Sequence, residues 1–103
     1  MSAEKRKIIV GNKEYTMPRM SVDTYMSYLD LTEVIDTHTR YTRTDVEAMI
    51  DFLVVAYDNQ FTAEELKDSQ TGLDAAGIIM EFQCIDMGVA NELTKRIENL
   101  TKN

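Results

Sequence analysis

Apolar and polar positions along the 103-residue chain follow strand-like spacing at its start and helical spacing thereafter. Lys7 to Val10 is rich in β-branched residues, Gly11-Asn12 tolerates positive φ, and Lys13 to Met17 sets Tyr15 and Met17 between polar neighbours. This pattern predicts a β-hairpin over 7–17, closed by Pro18. An isolated two-stranded hairpin is marginal in water, so these strands must either pack on helices or pair with another chain.

Ser21 supplies an N-cap hydroxyl with Asp23 in the first turn, and Val22, Tyr25, Met26 and Leu29 follow at helical spacing, with Val34 and Ile35 further on. The spacing predicts a helix over 21–37. Thr37 to Arg43 is rich in hydroxyl and β-branched residues, which favour connections over helix interiors. Thr44 and Glu47 then read as a capping box launching a second helix over 45–58, with Val46, Met49, Ile50, Leu53, Val54 and Tyr57 on one side. Phe52 and Val55 fall on other faces, so its second half is expected to be a buried central element. A strand over Phe52 to Tyr57 is the competing reading, and the capping box favours the helix.

Thr62 and Glu65 form a second box, which predicts a short helix over 63–67 with Phe61 stapled towards Leu66. The remainder, 73–100, reads as one long helix. Ile78, Phe82, Ile85, Val89, Leu93 and Leu100 fall within about 80° of one another at 100° per residue. Such a helix spans ~40 Å, whereas a compact chain of this size has a radius of gyration of ~13 Å, so part of it should overhang. Its opposite side carries a second apolar seam, Leu73, Met80, Cys84 and Met87, with Gly77 and Gly88 beside it suggesting a close backbone approach. Either this seam lies between helices of its own chain or it faces outward for a partner or second subunit. The expected architecture is mainly α: one domain, a small helical bundle with an N-terminal β-hairpin and a long C-terminal helix.

Charge narrows the partners. Residues 20–94 hold fifteen carboxylates against Arg40, Arg43 and Lys67, whereas 1–19 carry a net +3 and 95–103 a net +2. Nucleic-acid affinity comes largely from Lys and Arg displacing counterions, so an acidic body disfavours DNA or RNA as partner. A lone Cys84 forms no intramolecular disulfide and implies no oxidising compartment. Met1 to Lys7 is polar and leads into only three apolar residues, far short of a signal sequence or a membrane span.

Catalytic chemistry finds no constellation. His38, the single histidine, sits among threonines without converging partners and reads as a surface residue. Cys84, amid Met80, Phe82 and Met87 and with no cation near in sequence, reads as an inert buried thiol. One Cys and one His cannot build a structural zinc site, and Asp58-Asn59-Gln60 lacks the ligand spacing of a calcium loop. No phosphate-cradling glycine loop occurs. No cofactor, no metal and no enzyme activity are expected.

In their order along the chain, several segments carry a resemblance: the Ile-rich hairpin running into Tyr15-Thr16-Met17, the helix Val22-Asp23-Thr24-Tyr25-Met26-Ser27-Tyr28-Leu29, the run Tyr57-Asp58-Asn59-Gln60-Phe61-Thr62-Ala63-Glu64-Glu65-Leu66, and a long terminal helix. From about Lys7 to Leu100 the chain resembles the tail assembly chaperones of long-tailed bacteriophages, in the version carried by phages of Gram-positive hosts. The resemblance implies a non-enzymatic protein of the host cytoplasm, absent from the mature virion. Its partner would be the tape measure protein, the long helical ruler of the tail, with a second copy of itself and the tail tube protein as further partners. Ruler binding is expected at Leu73, Met80, Cys84 and Met87, helped by Phe61 and Leu66. A small acidic phage regulator of a host or phage protein is the alternative, and a structural tail-completion subunit a third reading.

Overall fold

The computed structural model describes residues 6–35 and 40–101. Strands β1 (Lys7–Val10) and β2 (Lys13–Thr16) pair antiparallel, Ile8 opposite Tyr15 and Val10 opposite Lys13. The two-residue loop between them places Gly11 at φ 60° and Asn12 at φ 64°. Left-handed geometry at both positions matches the natural twist of paired strands, which is why a Gly-Asn loop suits a hairpin this short. The hairpin docks on the helices of its own chain. Ile8 and Val10 are buried, the Tyr15 and Phe61 rings meet edge-on at 5.2 Å, the Gln60 side-chain amide donates to the Thr16 carbonyl at 3.0 Å, and the Gly11 N–H donates to the Thr71 carbonyl at 3.0 Å.

Helix α1 (Val22–Ile35) starts after Ser21, whose hydroxyl accepts the Thr24 N–H at 3.1 Å. The end expected at 37 lies outside the described residues, as does His38. Helix α2 (Arg43–Ala56) begins two residues earlier than expected, because the capping box is Thr42 with Asp45 rather than Thr44 with Glu47. Thr42 takes the extended conformation a cap needs, and the two residues exchange bonds of 2.9 and 3.1 Å. Glu47, freed from capping, approaches Arg43 at 3.7 Å on the exposed face. At the other end Asp58 and Asn59 adopt left-handed φ of 59° and 57°, which stops the helix before 58.

The four-residue helix α3 (Ala63–Leu66) carries the reciprocal Thr62–Glu65 box. The turn after it passes through Gly72, where any Cβ would run into the backbone of Leu66, Glu65 and Asp68. Helix α4 (Ala75–Thr101) then runs 27 residues. It starts after Leu73 because the Asp74 carboxylate accepts the Gly77 N–H at 2.8 Å and caps the first turn.

Helix α2 is central, packing against α1, α3 and α4. Met49, Phe52, Leu53, Ala56 and Tyr57 are buried between them, although Val55 stays partly in water. Phe52 and Phe82 rings meet nearly perpendicular at 6.1 Å, with Tyr28 beside both. From Ala90 to Leu100 every residue of α4 is exposed. That overhang stretches the molecule to 51 Å along its long axis and raises the radius of gyration to 14.6 Å. No helix among the described residues is long and apolar enough to cross a membrane.

Candidate functional site

The rotation of α4 about its axis decides which of its two apolar faces meets the core. Ile78, Phe82 and Ile85 insert against α2, and Glu81 turns inward beside them. The Glu81 carboxylate receives two bonds from Arg6, Nη2 at 2.6 Å and Nε at 3.2 Å, and a third from the Tyr57 hydroxyl at 2.9 Å. A bidentate guanidinium holds a carboxylate in one orientation, so this triad pins the base of β1 to α4 and sets the helix register. The bond to Glu81 raises the Arg6 pKa further above its ordinary value. Burial, and then the neighbouring Glu81 charge, raise that of the Tyr57 phenol.

With that face inward, Met80, Cys84 and Met87 point to the opposite side. Met80 is 62% exposed and Met87 64%. Cys84 is exposed too, which corrects the expectation of a buried thiol, since the core takes up only the Ile78–Phe82–Ile85 face. Gly88 sits on the rim of this seam, and a Cβ built there meets nothing within 4 Å. The close backbone approach expected at that glycine is therefore absent from the isolated chain.

The other residues expected at the seam separate from it. Leu73 lies before α4 rather than on it and packs, half-buried, against the core at the root of the seam. Phe61 and Leu66 are core residues, 3% and 0% exposed, so in this fold they support α3 and the hairpin instead of offering area to a partner. The outward surface is therefore Met80, Cys84 and Met87, two turns of one helix.

A second exposed apolar surface lies where the periodic stripe of α4 runs past the bundle. Leu93 and Leu100, on the same periodic stripe as Ile78, Phe82 and Ile85, emerge from the bundle with Ile97 along the overhang expected of so long a helix. At the root of this stripe a cleft of about 410 Å³ opens between α1 and α4, with Tyr25, Leu29, Phe82 and Val89 among its walls. On its α4 wall the Tyr28 hydroxyl donates to Asp86. Glu81 had a legible signal, a lone carboxylate inside the apolar run Ile78 to Phe82, but its partners, far off in sequence, could not be read from spacing.

A family model described as phage tail chaperone protein matches residues 3–101, nearly the whole chain. Comparison with curated proteins and with solved structures finds no match.

Proposed function

The chain belongs to the phage tail chaperone family, and we propose that it binds the tape measure protein through the outward seam of α4, keeping that ruler in solution until the tail tube assembles around it. The family is one of assembly proteins, not enzymes, and its partners are tail proteins. The observation that carries the finer reading is the pair of methionines, more than half exposed on one face of a helix whose opposite face, at Ile78, Phe82 and Ile85, is taken up by the core. Unbranched thioether chains refit to differing surfaces, which suits a partner read along its length rather than at one point.

Magnitude shapes the mode of binding. Burying what remains exposed of Met80 and Met87 stabilises a complex by about 2–4 kcal/mol, before any ordering cost. That amount supports only a dissociation constant in the millimolar range. One copy on one site would therefore hold the ruler poorly, so coverage rests on many copies at high concentration, each on its own apolar stripe. The fifteen carboxylates of the body keep such an array hydrated and separate. On the same reading the protein acts in the host cytoplasm, stays out of the finished particle, and serves a phage of a Gram-positive host, as the order of its sequence segments suggests.

Co-expression with the tape measure protein tests this. The wild-type chain should retain the ruler in the soluble fraction, and Met80→Glu with Met87→Glu should lose it while keeping the same far-UV circular dichroism. A variant that unfolds would make the seam core, and a folded variant that still solubilises the ruler would remove the seam as its site. The acidic-regulator reading would gain if the protein inhibited a nucleic-acid enzyme and ignored tail components.

A further inference from the structure

We infer that the α1–α4 cleft receives a cationic side chain, an arginine presented by a partner polypeptide, with Asp86 as its counter-charge and the Tyr25 and Tyr41 rings as the surfaces it stacks on. At about 410 Å³ the cleft is of ligand-holding size. Four aromatic rings, Tyr25, Tyr28, Tyr41 and Phe82, stand around it, and Asp86 is the one charged group among the described residues of its wall. Tyr28 and Phe82 are buried and form the floor, their ring centroids 6.4 Å apart, whereas Tyr25 is half-buried and Tyr41 is exposed. The Gln83 side-chain amide donates to the Tyr41 hydroxyl at 3.1 Å, which ties that ring to α4 as a wall. Asp86 itself is only partly engaged. Its Oδ1 accepts the Tyr28 hydroxyl, and no donor among the described residues reaches the other oxygen. Nor does any described Lys or Arg pair with it: the ion pairs join Arg6 to Glu81, Lys7 to Glu14, Arg43 to Glu47 and Arg96 to Glu92.

Elimination fixes the occupant. An apolar group seated here would strip water from Asp86 without replacing its bonds, and an anion would be repelled. A cation satisfies the remaining oxygen and meets the negative faces of the rings. Of the cationic side chains, guanidinium is the more weakly hydrated and is flat, so it stacks on an aromatic surface while donating in its own plane, whereas an ammonium asks for three acceptors. The fifteen carboxylates between 20 and 94 draw such a group in from a distance. A polypeptide source fits the wall, because Leu29 and Leu93, each nearly half exposed, offer apolar surface to residues flanking the arginine. Asp86 lies about 100–120° around α4 from Met87 and Met80 at 3.6 residues per turn, so cleft and methionine seam open on different sides. The assignment therefore stands whether or not the seam holds the ruler.

Titration of the full isotope-labelled chain with N-acetyl-arginine amide at constant ionic strength, followed by amide-resolved NMR, tests this. The expected result is saturable binding in the millimolar range that moves the resonances around Tyr25, Tyr41 and Asp86. N-acetyl-lysine amide should bind more weakly, and N-acetyl-leucine amide should leave the cleft unmoved. Asp86→Asn is isosteric and still accepts from Tyr28, so it should keep the fold and weaken arginine binding at least ~10-fold. Tyr41→Ser, at an exposed position, keeps the carboxylate but removes a stacking wall and should weaken binding ~3-fold. Asp30→Asn removes the same charge outside the cleft and should leave the affinity within about two-fold, as should Met80→Glu on the seam. No saturable binding, equal affinity for the lysine or leucine derivative, binding that survives Asp86→Asn, or an equal loss in Asp30→Asn would each overturn the assignment. Tighter binding of free arginine than of its capped form would overturn it too, by giving the cleft to a free amino acid.

Discussion

Replacing Gly88 by alanine should make the protein more stable. In the interior of a helix, glycine is about 0.8–1 kcal/mol less favourable than alanine, because it loses more backbone freedom on folding. Gly88 lies in the middle of the 27-residue α4. Its backbone is not in the left-handed region, and the added methyl would meet nothing within 4 Å, so no packing penalty offsets the gain. Only a fraction is felt by global unfolding, since no residue of α4 from Asn91 to Leu100 is buried and such a segment opens ahead of the core. The net expectation is about 0.5–1 kcal/mol, which for a chain of this size raises Tm by about 2–8 °C. Urea unfolding followed by far-UV circular dichroism should show a higher midpoint with an unchanged slope. Gly77→Ala is the control. There the methyl would stand 3.1 Å from the Asp74 carboxylate that caps the helix and 3.4 Å from the Leu73 Cβ, so the same propensity gain is offset by crowding of the cap. A destabilised Gly88→Ala chain would mean that another segment approaches that position, and the description of the seam as open would fail.

The position of the α2 cap separates two threonines. Thr42→Ala should lower stability by about 1 kcal/mol, whereas Thr44→Ala should stay within ~0.5 kcal/mol of wild type, both measured by urea midpoint. Tyr57→Phe removes one bond to the buried Glu81 carboxylate and should lower stability by about 1.5–3 kcal/mol at neutral pH. Because the folded phenol pKa is raised, its share of the stability is whole below the ordinary tyrosine value of about 10. It is lost as the pH climbs from there towards the folded value, where the unfolded chain has already released its proton. The gap between wild type and Tyr57→Phe should therefore narrow above about pH 10 in urea titrations at stepped pH. A gap that stays constant would deny the phenol its buried environment.

Local chemistry made much of the architecture legible from the chain. The Gly11-Asn12 turn, the Ser21 cap and the Thr62–Glu65 box act through hydrogen bonds within three or four residues, so adjacent side chains suffice to announce them. The α2 cap shows the limit of such reading. Thr42–Asp45 and Thr44–Glu47 both match the pattern, and the box that forms is Thr42–Asp45, with Asp45 buried and Glu47 left on the exposed face. The long helix shows a deeper limit. Its periodicity displays a strong apolar face and a second seam opposite, and spacing alone left open whether that seam would lie between helices or face outward. Arg6 and Tyr57 settle that through Glu81, and no described neighbour covers Ile97 and Leu100. Periodicity reports that a face is greasy, because that depends on residues one turn apart. Whether the face is hidden depends on how far the other helices reach, and so Met80, Cys84 and Met87 became surface while Ile78, Phe82 and Ile85 became core.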